Sequence, residues 1–216
     1  MKRLSSYIPN IITCCNLTAG SLAVIMALRG TFEQAAIFIL IAAVCDFLDG
    51  LSARLLHAYS DMGKELDSLS DLISFGLAPG LMVYALLNDY LLLPYGNLEY
   101  LAYIALLIPV AGGIRLAKFN VDDRQTTSFI GLPIPANALF WIGVCFADTR
   151  DWHPVIILAL IVLFSYLMVS NLPMFSLKAS NLSWSNNKLR YILIITSLGL
   201  IIWLGLTGLA LSLIHI

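Results

Sequence analysis

Charge is what this sequence has least of. Only 12% of its 216 residues are Asp, Glu, Lys or Arg, while 60% are hydrophobic and the mean hydropathy is +0.89. A water-soluble domain of this length cannot hide so much apolar surface in one core, so the chain belongs in a bilayer. It also lacks an excess of either sign: the formal net charge is -1 and the pI near 6.2, which gives no footprint for a nucleic-acid partner. Cysteine is scarce. Cys14, Cys15, Cys45 and Cys145 form no CxxC pair and no Cys/His metal spacing, and each lies in an apolar stretch. They read as small buried hydrophobes, which excludes a disulfide framework and a zinc site. Low-complexity tracts and internal repeats are missing too, and no polar stretch is long enough for a second globular domain.

What is there is a series of long apolar runs. Crossing about 30 Å of hydrocarbon takes roughly 20 residues, and such segments fall near 11–29, 32–57, 67–93, 99–119, 131–148 and 153–170. A further apolar stretch, Tyr191 to Ile216, reads as one long tilted helix or two short ones around Gly205 and Gly208. The expected fold is an all-α polytopic membrane protein, a six-helix core plus one or two C-terminal transmembrane helices. Its expected division is residues 1–175 as the transmembrane domain and 176–216 as a cytoplasmic loop and C-terminal segment. Lys2 and Arg3 precede the first apolar run, but that run is long, carries Asn16 and leads into further spans, so a retained helix is expected rather than a secretory signal.

Orientation follows from cation bias. With a cytoplasmic N-terminus, ten of the twelve lysines and arginines fall on the cytoplasmic side, leaving Arg29 and Arg150 outside. The segment 88–99 carries Asp89 and Glu99 and no cation, as an outer loop should. This places a group of aspartates at the cytoplasmic ends of the second and third helices.

That group is the most informative feature. Asp46 and Asp49 are three residues apart and followed by Gly50, Ala53 and Arg54; eight residues later Gly63 precedes Asp67 and Asp71, four apart. Each pair lies on one helical face, and a turn around Asp61 to Lys64, with Gly63 suited to it, returns the chain antiparallel so that the four carboxylates converge. Gly50 and Ala53 leave room on that face for a flat ligand or a close helix neighbour. One Asp at mid-bilayer costs about 2.5 to 3.5 kcal/mol, and four by simple addition approach about 10. A hard divalent cation prefers oxygen ligands and removes that penalty, and Mg²⁺ completes its shell with water and substrate phosphate oxygens. Two other readings stand beside this one: solvated helix ends, or a cation path through a transporter. Neither explains Gly50, Ala53 and Arg54 at their spacings.

The pattern D-x-x-D-G-x-x-A-R, eight residues, G-x-x-x-D-x-x-x-D resembles the signature of the CDP-alcohol phosphatidyltransferase family, matched at every fixed position. The resemblance implies a six-helix core, a homodimer and a polar cavity open to the cytoplasm, in the cell (inner) membrane among its lipids. It implies Mg²⁺ or Mn²⁺ held by Asp46, Asp49 and Asp67, with Asp71 completing the cluster and acting as general base. Gly50 and Ala53 would accept the cytidine nucleotide and Arg54 its diphosphate. The opening Pro9-Asn10-x-x-Thr13 resembles a start common in the family that lies close to the nucleotide; the same residues also suit helix capping by Asn10. The chemistry is consistent: an alcohol attacks the lipid-bearing phosphorus of the CDP-lipid, charge is withdrawn from the phosphoryl oxygens, and a carboxylate accepts the proton.

The acceptor must be read elsewhere. The fourth helix ends Gly113-Ile-Arg115-Leu-Ala-Lys118-Phe-Asn120, and the fifth begins around Gly131-Leu-Pro133-Ile-Pro135-Ala-Asn137. Together with Ser60 to Ser68, these stretches resemble the serine-using, integral membrane bacterial branch of the family, which implies CDP-diacylglycerol and L-serine as substrates. Arg115, Lys118 and Asn120 suit a serine zwitterion by type; Arg115 and Lys118 equally suit cationic anchors at the interface. Glycerol 3-phosphate or an inositol phosphate remains the alternative acceptor.

Overall fold

The structure, a computed structural model, describes residues 7–92, 98–121, 129–147, 153–174, 196, 199, 203 and 205–214. Helix α1 (Ile8–Leu28) begins earlier than the expected residue 11, because Tyr7 takes the N-cap and Pro9 sits in the first turn, where its missing N–H is no loss. Asn10 is therefore inside the helix and does not cap it. A tight turn through Arg29–Thr31 leads into α2 (Phe32–Leu55). The two helices meet through small side chains: Ala19, Ala23 and Ala27 of α1 and Ala35, Ala36 and Ala42 of α2 are all buried with Ile39. Packing of this kind suits a bilayer, where close approach of backbones replaces the hydrophobic drive.

The turn that joins α2 to α3 lies at residues 56–60, ahead of the expected Asp61–Lys64. Helix α2 stops on His57, which adopts a left-handed conformation (φ 49°). Its N–H donates to Arg54 O (3.4 Å), and the Ala58 N–H reaches back to Ala53 O (3.0 Å), the paired bonds of a Schellman terminus. Ser60 then caps α3, its Oγ accepting from the Gly63 N–H (3.0 Å). Gly63 is thus a residue of the first helical turn, and its missing side chain has another use. A Cβ there would lie 3.0 Å from Asn10 Oδ1 and 2.9 Å from Ser60 Oγ, so glycine lets α1 approach.

Helix α3 runs as Asp61–Asp71, passes through a π-helical turn, Leu72–Leu77, and continues as Ala78–Leu92. Helix α4 starts with a 3₁₀ segment, Glu99–Leu106, and proceeds as Leu107–Val121. Helix α5 (Ile134–Phe146) is shorter than the expected 131–148, because Pro133 and Ala147 are both extended. Its 13 residues rise about 20 Å, short of the roughly 30 Å hydrocarbon layer. Helix α6 (Pro154–Val169) follows. One two-residue antiparallel ladder pairs Phe129 with Met174 and Ile130 with Pro173; all other regular structure among the described residues is helical. Near the C-terminus the chain turns at Gly205 (φ 62°) and α7 (Thr207–Ile214) packs on α5, with Thr207 Oγ1 donating to Phe146 O (3.0 Å). Among the described residues four helices are long and apolar enough to cross a membrane, with α5 and α6 as shorter apolar helices. The Asp122–Ser128 stretch and the Lys178–Asn187 loop lie outside the described residues.

Two cores form. One joins α1, α2 and the middle of α3 through Phe75, Ala78 and Met82. The other is aromatic: Phe140 stacks on Phe164 (centroids 3.8 Å apart), Trp141 sits edge-on to Phe140 (5.1 Å), and Trp141 Nε1 donates to Asn137 Oδ1 (3.0 Å). The acidic residues sit at the edge of the first core.

Candidate active site

Residues three and four apart on facing helices bring three of the four aspartates together. One carboxylate oxygen from each of Asp46, Asp49 and Asp67 lies within 4.8 Å of the others. Asp49 is buried, and its Oδ2, like Asp67 Oδ1, has no hydrogen-bond partner although the atom is enclosed. Unpartnered buried carboxylate oxygens are costly. An all-oxygen donor set with free lone pairs at this separation fits a hard divalent cation, so the residues present suit the metal that their types suggest.

Asp71 stands outside this triad, within electrostatic reach of all three of its members. It is buried, and its Oδ1 accepts from Asn16 Nδ2 (3.2 Å). Asn16 is fully enclosed and is itself fixed: Ser74 Oγ donates to Asn16 Oδ1 (2.7 Å) and lies 3.2 Å from Asn16 O. One turn earlier, Ser70 Oγ donates to Thr13 O (3.3 Å). These bonds tie α3 to α1 along one face, and Gly20 permits the approach, since a Cβ there would collide with Ser74. Asn16, Ser70 and Ser74 are members of the site that the signature does not mark. The signal was available for Asn16: a buried amide in an apolar span needs partners.

A cavity of about 560 Å³ opens beside the triad. It is lined by Pro9, Asn10 and Thr13 of α1, by Asp49, Gly50, Ala53 and Arg54 of α2, by the turn Ala58–Ser60, and by Asp61, Gly63, Lys64 and Asp67 of α3. All five residues expected to meet the CDP-lipid therefore line the same cavity, Asn10 and Thr13 from α1 and Gly50, Ala53 and Arg54 from α2. Arg54 Nε donates back to Gly50 O (2.9 Å), which leaves the N–H groups of the two terminal guanidinium nitrogens for other partners. Thr13 is buried and donates to Pro9 O (3.0 Å).

The three expected acceptor residues separate. Arg115 is buried on α4, within electrostatic reach of Asp71, and its Nε has no hydrogen-bond partner. Lys118 Nζ instead donates to Val169 O at the end of α6 (2.8 Å). Asn120 Nδ2 donates to Ser68 Oγ (2.9 Å), and its backbone carbonyl accepts from Lys64 Nζ (2.9 Å).

The sequence profile of the CDP-alcohol phosphatidyltransferase family matches residues 6–215. The chain belongs to this family. It is 38% identical over 168 residues to the CDP-diacylglycerol–serine O-phosphatidyltransferase of Bacillus subtilis, covering 77% of this chain and 89% of that protein. It is 35% identical over 172 residues to the enzyme of the same name from Helicobacter pylori, covering 76% and 70% respectively. The archaetidylserine synthase of Methanothermobacter thermautotrophicus is 35% identical over 145 residues, covering 64% of this chain and 58% of that protein.

Proposed function

We propose that this protein transfers the phosphatidyl group of CDP-diacylglycerol to the hydroxyl of L-serine, giving phosphatidylserine and CMP. The observation that carries the reading is the division of the aspartates, three drawn together beside a cavity with an arginine on its wall and the fourth hydrogen-bonded to a buried amide. The relatives named for transfer to serine support the choice of acceptor.

Asp46, Asp49 and Asp67 would hold Mg²⁺ or Mn²⁺, which when bound withdraws charge from the phosphoryl oxygens and from the CMP leaving group. Gly50 and Ala53 leave the α2 wall flat enough for a pyrimidine, Asn10 and Thr13 face it from α1, and Arg54 offers its terminal N–H groups to the diphosphate. Asp71 accepts the proton of the serine hydroxyl as that oxygen attacks phosphorus. Its orientation is set by the bond from Asn16, which leaves further lone pairs for the substrate. Arg115 is the residue among the three acceptor candidates with an unspent buried donor, and it meets the serine carboxylate. Lys118 and Asn120 border that region while bonded to α6 and α3.

The proposed setting is the cell (inner) membrane with the cavity facing the cytoplasm, as the cation bias suggests. The proposed architecture is a six-helix core within residues 1–175, with 176–216 adding a cytoplasmic loop and C-terminal span. Family resemblance supports a homodimer. The activity is tested by CMP release from CDP-diacylglycerol with serine, glycerol 3-phosphate and inositol phosphate supplied in turn. Stimulation by serine alone is expected; stimulation only by a phosphorylated alcohol would overturn the acceptor.

A further inference from the structure

Two cations line the cavity, Arg54 and Lys64, and the signature accounts for Arg54 alone. Lys64 is three residues before Asp67, so its ammonium rises from the same face of α3 as that carboxylate. Its Nζ is not left to swing. It donates to the backbone carbonyl of Asn120 (2.9 Å), one of the last carbonyls of α4, which lack partners inside their own helix. Asn120 in turn sends Nδ2 to Ser68 Oγ (2.9 Å), and Ser68 Oγ donates to Lys64 O (3.2 Å). Three hydrogen bonds thus close a ring between one turn of α3 and the end of α4. An ammonium has three donors, so the bond to Asn120 holds Lys64 in place without exhausting it.

Electrostatics give the held cation a purpose. Three carboxylates gather beside this cavity, and the diphosphate of a CDP-lipid brings further negative charge to them. Arg54 supplies a single compensating charge from the cavity wall. We propose that Lys64 is a second diphosphate-binding cation of the donor cavity, beside Arg54 in its lining, and that Asn120 and Ser68 are positioning residues for its ammonium. This rests on the CDP-lipid reading of the cavity, and it assigns Asn120 a part in donor binding that its residue type did not suggest.

Equilibrium binding of CDP-diacylglycerol to the full chain in detergent tests it without recourse to turnover. Lys64→Gln should raise the Kd about tenfold or more, the effect of losing a charge-assisted hydrogen bond, while Lys64→Arg stays within a few-fold of the parent and Glu65→Gln does not move it. Ser68→Ala should weaken binding less than Lys64→Gln. The double variant Lys64→Gln/Ser68→Ala should bind like Lys64→Gln alone, because Ser68 acts through the lysine. An unchanged Kd in Lys64→Gln would overturn the binding role, and additive losses in the double variant would overturn the positioning role. A parent protein that binds CDP-diacylglycerol but releases no CMP with serine would sink the proposed reaction and leave the Lys64 result standing.

Discussion

Asn16 and Asp71 form the pairing on which the proposed division of labour rests. The amide is buried in an otherwise apolar helix and satisfied on both sides, Oδ1 by Ser74 and Nδ2 by Asp71. Asn16→Ala removes the donor that orients Asp71, the proposed base, and losses of this kind in supporting residues run to about 10- to 100-fold. The expected result is a fall of that size in kcat with metal and CDP-lipid affinity retained, read by steady-state kinetics beside equilibrium binding. Asp71→Asn should likewise keep metal and donor while losing rate, whereas Asp67→Asn should abolish turnover and weaken Mn²⁺ binding measured directly. Equal metal affinity in both aspartate variants would contradict the separation of Asp71 from the triad.

At the scale of elements, the site is a consequence of how closely α1 and α3 meet. Gly20 faces Ser74 with no room for a side chain, the nearest obstacles including Ser74 Cα at 2.8 Å from a built Cβ. Gly20→Leu must therefore push the helices apart, break the Ser74 to Asn16 bonds and cost activity at least tenfold, with a lowered thermal midpoint in detergent. His57→Gly acts in the other direction. Relieving a left-handed histidine at the end of α2 should stabilise the fold by up to about 1 kcal/mol, seen as a higher unfolding midpoint. This position also shows where sequence reading falls short. The pairing of aspartates was legible because helical periodicity puts residues three and four apart on one face. The turn was misplaced because Gly63 carries a turn residue's signal while being used for close packing against Asn10, and the residue that does turn the chain, His57, carries no such signal. The length of α5 was misjudged because an apolar run does not reveal that Pro133 and Ala147 are extended.

For the whole molecule, composition alone identified a membrane protein, and the four long apolar helices agree. The grouping of Asp49, Gly50, Ala53, Arg54 and Asp67 around one cavity was legible because they fall within one stretch of sequence, whereas Asn10 and Thr13 join them from α1. Arg115, Lys118 and Asn120 share a helix end in the sequence but meet different partners in space, which spacing along α4 does not reveal. A metal-dependent centre predicts that EDTA stops CMP release and that Mg²⁺ or Mn²⁺ restores it. The most direct measurement is incorporation of isotopically labelled serine into lipid by the purified protein supplied with CDP-diacylglycerol and Mg²⁺. Labelled phosphatidylserine with an equal amount of CMP, both lost in Asp67→Asn, is the predicted result; a well-folded parent protein that yields no labelled lipid would contradict the account.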